Sequence, residues 1–195
     1  MNETNQTDRF APLFAELDRR LAGEAPVRLA IEGGSASGKT TLGKILAERY
    51  DCTVFHMDDF FLRSEQRTAA RFAEPGGNVD RERFLAEVLL PLRRGEKVFY
   101  RRFDCASMQL QNAVETAPKK LVVAEGAYSM HPVLAPFYDI SVFQDISSEL
   151  QRERISRRNT PEKAKRFFAE WIPMEQAYFA AFDIPAKCTL RLPIL

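Results

Sequence analysis

One glycine-rich segment constrains the fold of this chain more than any other feature. Residues 33–40 read GGSASGKT and match the pattern G-x-x-x-x-G-K-[ST] at every fixed position. The apolar run VRLAI at residues 27–31 predicts a strand immediately before this segment, and residues 39–50 predict a helix immediately after it. A strand, a glycine-rich turn and a helix in this order predict a loop that wraps around phosphate groups.

The predicted loop has the chemistry to hold the triphosphate of ATP together with Mg²⁺. Its glycines let backbone N–H groups turn inward, and the N-terminus of the following helix adds partial positive charge. Lys39 is expected to reach the β- and γ-phosphates, and the Thr40 hydroxyl is expected to ligate Mg²⁺. The nucleotide-binding residues are therefore predicted to be Gly33, Gly34, Ser35, Ala36, Ser37, Gly38, Lys39, Thr40 and Thr41.

The rest of the chain alternates between predicted strands and predicted helices. Further strands are predicted at residues 53–57, 97–103, 121–124, 140–143 and 188–192. Helices are predicted at residues 8–21, at 80–90 with Asp80 as its N-terminal cap, at 147–158, and from residue 160 with an interruption near Pro173. Residues 63–78 contain Pro-Gly-Gly and predict a loop. This alternation predicts an α/β fold with a mostly parallel sheet.

Composition narrows the classes of partner. The 195 residues contain 28 Lys and Arg and 27 Asp and Glu, so the formal net charge is +1. This balance disfavours general nucleic-acid or membrane-surface binding, and no apolar run approaches the ~20 residues of a membrane helix. Three widely spaced cysteines without a CxxC pair disfavour a disulfide framework and a structural zinc site. We therefore expect a cytoplasmic protein with a small-molecule partner and no nucleic-acid or membrane partner. Homo-oligomerisation is left open.

Two acids follow the second predicted strand, in the segment HMDDFF. Ligands of open parallel sheets bind at the carboxyl ends of the strands. A carboxylate there accepts the proton of an acceptor hydroxyl while a γ-phosphoryl group is transferred. We predict that Asp58 is this base, and that Asp59 either points at the metal or caps a turn. The alternative is that both acids are solvated turn residues.

A third acid, Glu125, ends the apolar strand LVVA and precedes a glycine. We predict that Glu125 helps Thr40 to hold Mg²⁺, through water, because Mg²⁺ tends to keep several of its waters. The alternative is that this acid caps the next turn.

An arginine-rich segment, QRERISRRN, occupies residues 151–159. Arg154, Arg157 and Arg158 fall on adjacent helical positions and are expected to face one ligand. Arg154 and Arg158 are predicted to act from a mobile lid and stabilise the charge of the transferring phosphoryl group. A solvated helix face is the alternative.

With these residues in this order, the chain resembles the uridine kinase-like branch of the P-loop small-molecule kinases. That branch includes uridine kinases, nicotinamide riboside kinases and phosphoribulokinase-like proteins. GGSASGKTT resembles the family's phosphate loop, and MDDFF resembles its strand-end segment with the catalytic base. The segments NVD at residues 78–80, FD at 103–104 and AEG at 124–126 resemble its ribose-binding segment, its Tyr-Asp pair and its Glu-Gly.

The resemblance implies a fold and a set of roles. The fold is that of a P-loop NTPase, a three-layer α/β/α architecture with a five-stranded mostly parallel sheet and a helical lid. One kinase domain covers residues 1–195, with an acceptor-binding excursion at 63–112 and a lid region at 152–166. ATP and Mg²⁺ are the cofactors. The catalytic residues implied by the resemblance are Asp58, Lys39, Arg154 and Arg158. Thr40 and Glu125 are implied to bind the metal. The residues implied to bind the acceptor are Asp58, Phe61, Asp80, Phe103 and Asp104.

The implied activity is transfer of the γ-phosphoryl group of ATP to the 5′-hydroxyl of a nucleoside. Three departures from the uridine kinases bear on the acceptor: Cys105 to Ser107 replace a histidine, Arg81 replaces a proline, and the lid lacks an Arg-Gly-Arg ending. The alternatives are a kinase for a ribosyl-nicotinamide, pantothenate-like or sugar acceptor, and a non-catalytic nucleotide-binding regulatory module. A GTPase is disfavoured, because the guanine-reading pattern Asn-Lys-x-Asp is absent from the sequence.

Overall fold

The computed structural model describes residues 9–194. The strands are β1 (Val27–Gly33), β2 (Cys52–His56), β3 (Val98–Asp104), β4 (Gln109–Thr116), β5 (Leu121–Glu125), β6 (Ile140–Ile146) and β7 (Leu190–Ile194). The helices are α1 (Ala11–Leu21), α2 (Lys39–Arg49), α3 (Ala69–Ala73), α4 (residues 81–93), α5 (Ser148–Arg158), α6 (residues 161–182) and α7 (Ile184–Lys187). Asp8, the first residue of the first predicted helix, lies outside the described residues.

Five parallel strands form the central sheet in the order β2-β5-β1-β6-β7. The central strand β1 pairs with β5 and β6, so that Leu29 lies opposite both Val123 and Ile140. A parallel sheet covered on both faces favours nearly continuous apolar strands, and every residue of β5 is buried. The predicted α/β architecture with a five-stranded parallel sheet is confirmed.

Successive side chains of β1 enter two different cores. Leu29 and Ile31 pack on one face with buried side chains of α1 and α2. Ala30 points to the other face, toward a cluster that includes Phe60, Phe84, Tyr100 and Tyr178. The ring centroids of Phe60 and Phe84 lie 4.9 Å apart in an edge-to-face arrangement. Helices on both faces therefore complete the three layers.

A long excursion connects β2 to β5. It supplies many of the side chains that cover the second face of the sheet. The predicted loop at residues 63–78 contains the short helix α3. Residue 112, the predicted end of the excursion, lies inside β4, which pairs with β3 as an antiparallel hairpin. Strand β4 has no counterpart among the predicted strands, because its residues are mostly exposed and show no regular apolar alternation.

Two prolines lie inside helices that continue past them. The predicted interruption near Pro173 is a change from α to π hydrogen bonding just before the proline, and the chain stays helical from Pro161 to Phe182. A π-helical turn at Phe167–Trp171 ends two residues before this proline, and a similar turn at Leu85–Leu89 precedes Pro91 in α4. A π turn lengthens the hydrogen-bonded ring, which accommodates the lost N–H and the bulk of the proline ring without breaking the helix.

Cys52, Cys105 and Cys188 are free thiols. Within residues 9–194, no helix combines the length and the apolar character needed to cross a membrane.

One charged side chain lies in the core where β1 meets the glycine-rich loop. Glu32 is completely buried. Its carboxylate accepts hydrogen bonds from the N–H groups of Gly33 (2.9 Å), Tyr128 (3.1 Å) and Met130 (2.9 Å), and from the Tyr178 hydroxyl (3.0 Å). Glu32 therefore joins the start of the loop, the segment after β5 and helix α6. Burial raises the pKa of Glu32 to about 7, against the opposing effects of its donors and of Lys39.

We expect this raised pKa to make the free energy of unfolding fall as the pH rises toward 7. Between 4.5, the ordinary pKa, and about 7, the folded protein keeps a proton that the unfolded chain releases. The stabilising contribution of Glu32 is therefore fully present below 4.5 and lost as the pH rises through about 7. The steepest slope from this one group is about 1.4 kcal/mol per pH unit.

Urea unfolding of the wild type and of the Glu32→Gln variant between pH 5 and pH 8 measures this slope. The stability difference between the two proteins should shrink as the pH rises. A difference that does not vary with pH would contradict the assignment.

Candidate active site

The glycine-rich loop has the backbone conformation that its sequence predicts. Gly33 and Gly38 have φ angles of 148° and 95°, which side chains rarely adopt. A Cβ at Gly33 would lie 2.6 Å from the Gln144 carbonyl oxygen. Gly38 precedes α2 and supplies no side-chain cap. The first N–H groups of α2 are therefore open to an anion at the mouth of the loop.

Lys39, the first residue of α2, reaches back across the loop. Its Nζ donates hydrogen bonds to the carbonyl oxygens of Gly33 (2.8 Å) and Gly34 (2.9 Å). The ammonium group is therefore held inside the curve of the loop, where it adds charge to the dipole of the helix.

Thr40 and Glu125, the two residues predicted to hold the metal, are in contact. The Thr40 hydroxyl donates to Glu125 Oε1 at 3.0 Å. The same carboxylate oxygen lies 2.5 Å from His56 Nδ1, and this hydrogen bond raises the pKa of His56. His56 is missing from the predicted site, although it lies only two residues before Asp58 in the sequence.

The donor set at this place fits Mg²⁺ bound mainly through phosphate. Within residues 9–194, no three His, Cys, Asp or Glu side chains cluster in a way that could hold a metal ion. The hydroxyl of Thr40 and the carboxylate of Glu125 are hard oxygen donors beside the phosphate-binding loop. Mg²⁺ usually takes one or two such protein groups and fills its shell with waters and phosphate oxygens.

Asp58 lies on a turn directly after β2, at the same edge of the sheet. The turn Met57–Phe60 approaches the end of β5 closely, because a Cβ on Gly126 would lie 2.5 Å from the Met57 Cβ. The side chain of Asp58 is exposed. Desolvation by the surrounding protein raises the pKa of Asp58, while the Lys39 charge opposes this shift. The chain thus brings a carboxylate of increased basicity close to the phosphate-binding lysine.

Asp59 points away from this group, toward the β3–β4 hairpin. Its Oδ2 lies 3.4 Å from Arg102 Nε. Burial raises the pKa of Asp59, while Arg102 opposes the shift. Asp59 is therefore directed to the hairpin, whereas Asp58 experiences the Lys39 charge.

The predicted acceptor residues Phe61, Asp80, Phe103 and Asp104 lie on the excursion between β2 and β5, and their side chains are held in different ways. Phe61 forms a β-bridge with Val79, which leads directly into Asp80. The Asp80 carboxylate is only 2% exposed; it caps α4 through the Arg83 N–H (3.1 Å) and also accepts from Arg83 Nε (3.2 Å). Its predicted role as a cap is confirmed, whereas its contact with an acceptor stays a prediction.

Phe103 and Asp104 end the first strand of the hairpin. Phe103 is buried, and the Arg67 guanidinium lies 5.7 Å from its ring centroid. Asp104 accepts hydrogen bonds from the Ala106 N–H (2.9 Å) and the Ser107 hydroxyl (2.8 Å), which lower its pKa. Asp104 therefore shapes the hairpin turn, and its contact with an acceptor also stays a prediction.

The two predicted lid arginines occupy different places. Arg154 Nη1 donates to the Ala36 carbonyl of the loop at 3.2 Å. Arg158, one turn later on α5, is exposed and lies over the Phe167 ring, 5.6 Å from its centroid. Only Arg154 is therefore placed at the phosphate-binding loop.

Two further side chains at the loop have no counterpart in the predicted site. Gln151 and Glu175 are both buried and both bond Ser35, from α5 and α6 respectively. The sequence carries a weak signal for them, a polar residue on the buried face of each helix.

The chain is similar in sequence to known small-molecule kinases. The family model of shikimate kinase matches residues 35–90. The chain is 27% identical over 150 residues to a uridine kinase of Chloroflexus aurantiacus, which covers 72% of this chain and 71% of the relative. It is 23% identical over 150 residues to a uridine kinase of Clostridium perfringens, with the same coverage.

The fold is also found in a solved structure. The structure described as a possible uridine kinase from Bacillus stearothermophilus superposes with a TM-score of 0.70 at 20% identity, covering 96% of this chain and 99% of that one. By sequence similarity and by fold, the chain resembles the uridine kinase-like group of P-loop small-molecule kinases, as its motifs predict.

Proposed function

We propose that this protein is an ATP-dependent kinase that transfers the γ-phosphoryl group of ATP to a hydroxyl of a small molecule, the 5′-hydroxyl of a nucleoside. One observation carries the proposal: Asp58 lies at the same sheet edge as Lys39 and the Thr40–Glu125 pair. The charges of Lys39 and Glu125 both act on the pKa of Asp58. A phosphate-binding loop, a metal-binding pair and a base at one sheet edge are the parts that phosphoryl transfer to an alcohol needs. The similarity to uridine kinases supports the same class of reaction.

Each residue has a role in this reaction. The N–H groups at the start of α2 and Lys39 bind the phosphates, and Thr40 and Glu125 would hold Mg²⁺, which would neutralise phosphate charge. Asp58 accepts the proton of the acceptor hydroxyl. At the same time the hydroxyl oxygen of the acceptor bonds to the γ-phosphorus, and the bond between the γ-phosphorus and the ADP oxygen breaks. Arg154 stabilises the charge of the transferring group from α5, and Arg158 joins it if the lid moves.

The acceptor is held by the walls of the excursion. Phe61 supplies apolar surface for a base, and Phe103 does so only if the groups that bury it move. Asp80 and Asp104 supply carboxylates for hydroxyl or base groups. Direct contact with Asp80 requires its partner Arg83 to shift, since that carboxylate is almost fully enclosed.

A second acceptor class has its own support. The family model that matches residues 35–90 is that of shikimate kinase, and this range contains most of the phosphate-binding loop and the acid segment. Together with the sequence departures around Cys105 and Arg81, this match favours a different small alcohol as the alternative acceptor.

Removing the base should separate chemistry from nucleotide binding. We expect Asp58→Asn to lower kcat by roughly 10²–10⁴-fold, because the amide cannot accept the proton. The affinity for ATP should change little. Steady-state ADP release and calorimetric ATP binding measure the two effects.

A matched control is Asp51→Asn, at the opposite end of β2. Asp51 is exposed and pairs with Lys119, far from the cleft edge. This variant should keep wild-type turnover. Near-wild-type turnover of Asp58→Asn would remove Asp58 from the mechanism.

The raised pKa of Asp58 should appear in the pH dependence of kcat/KM. The rate should increase with pH as Asp58 loses its proton, with a midpoint above the ordinary value of 3.8. This increase with pH should be missing from the residual activity of Asp58→Asn. If kcat/KM of the variant still rises over the same pH range, the titration belongs to another group.

Glu125→Gln tests the metal pair. The amide still accepts from Thr40 but carries no negative charge, so we expect about a tenfold higher Mg²⁺ concentration for half-maximal activity. Glu115→Gln, an exposed change on β4, is the control and should leave the Mg²⁺ requirement unchanged. An unchanged requirement in Glu125→Gln would contradict its role.

The acceptor is identified by ADP release across nucleosides, ribosyl-nicotinamide, pantothenate-like compounds, sugars and shikimate. We expect phosphorylation of a nucleoside. Turnover with another alcohol alone would establish the alternative acceptor class. ATP binding without a phosphorylated product across the panel would instead indicate a regulatory module.

A further inference from the structure

Ser35, at the tip of the phosphate loop, has all three of its polar groups held from outside the loop. Its N–H and its hydroxyl donate to the Glu175 carboxylate at 2.8 and 2.6 Å. Its carbonyl accepts from Gln151 Nε2 at 2.9 Å. One residue is thus fixed by two helices that lie more than a hundred positions away in the sequence.

The two helices make further contacts on either side of Ser35. From α5, Arg154 bonds the next carbonyl, that of Ala36. From α6, Tyr178 lies one turn after Glu175 and bonds Glu32, which in turn accepts the Gly33 N–H. The base and the tip of the loop are therefore both tied to α6.

The loop sequence is adapted to this approach. A Cβ on Gly34 would lie 2.9 Å from Gln151 Nε2 and 3.5 Å from Glu175 Oε2. The phosphate-loop pattern does not require glycine at this second position. The absent side chain provides the space through which both helices reach Ser35.

We propose that Glu175 and Gln151 are positioning residues that hold the phosphate loop in its binding shape and couple that shape to the placement of α5 and α6. This inference rests on the proposed nucleotide-binding function of the loop. Since Arg154 lies on the same helix as Gln151, the shape of the loop and the delivery of the arginine are linked. Neither side chain needs to touch the nucleotide.

The negative charge of Glu175 has two opposite effects on nucleotide binding, so the direction of the change in Kd on neutralising it tests the proposal. A carboxylate near a triphosphate repels it, which weakens nucleotide binding. Burial raises the pKa of Glu175, while Lys39 and the two Ser35 donors oppose this shift. The proposal requires the benefit of an ordered loop to exceed the repulsion.

The test compares Glu175→Gln with Glu170→Gln. Glu170 is an exposed residue of the same helix that pairs with Arg166. Hydrogen exchange of residues 33–38, measured without nucleotide, should become faster in Glu175→Gln and stay unchanged in Glu170→Gln. The Kd for Mg²⁺–ATP should rise about tenfold in Glu175→Gln alone, because hydrogen bonds to a charged acceptor are replaced by weaker neutral ones.

The coupling between Ser35 and Glu175 separates positioning from general destabilisation. Ser35→Ala removes one of the two bonds, so its effect on Kd should be smaller once Glu175 is already Gln. Additive effects, an unchanged Kd or a tighter Kd in Glu175→Gln would each overturn the proposal. If Glu175→Gln does not fold, Gln151→Met serves in its place. Hydrogen exchange of the loop should then become faster in Gln151→Met. An unchanged exchange rate in this variant would overturn the proposal.

The two proposals fail in different ways. A wild-type protein that binds no nucleotide would refute the proposed function, whatever the exchange data show. Wild-type binding with no response to Glu175→Gln or Gln151→Met would refute the positioning role alone.

Discussion

The end of β1 is the point on which the rest of the structure depends. There the chain must leave a buried central strand and open its backbone N–H groups to an anion. Glu32 makes this possible from inside the core, because its carboxylate accepts from the loop, from the segment after β5 and from α6. An unpaired buried carboxylate would be strongly destabilising, so the geometry of these three partners is closely coupled. The loop therefore has a rigid base on the core side.

Three acids at the same sheet edge, Glu125, Asp59 and Asp58, have different surroundings. Glu125 is tied to Thr40 and His56, Asp59 faces Arg102, and Asp58 is the exposed one of these three acids. Adjacent acids in the sequence thus receive different environments because the turn after β2 directs their side chains apart. The proposed mechanism uses this difference, since a proton acceptor must be free while a metal ligand must be held.

Most of the sheet and the loop could be predicted from local patterns, because apolar runs next to Gly33–Thr40 determine strand, turn and helix together. The failures have identifiable causes. Strand β4 is exposed and lacks alternation, so its pairing with β3 decides its conformation. Pro173 looks like a helix break, but the preceding π turn absorbs the ring. Asp80 was predicted correctly as a cap, yet its burial beside Arg83 depends on how α4 packs.

By itself the sequence determined the phosphate loop, the parallel α/β fold and the acids at the strand ends, because each of these follows from short-range spacing and from the common edge of parallel strands. Only the tertiary structure decided which side chains surround the loop. Gln151 and Glu175 reach Ser35 through long-range packing, as does Arg154 to Ala36, while Arg158 one turn away lies on Phe167. The physical reason is that helix rotation and approach, which local spacing does not encode, select the residue that faces the loop.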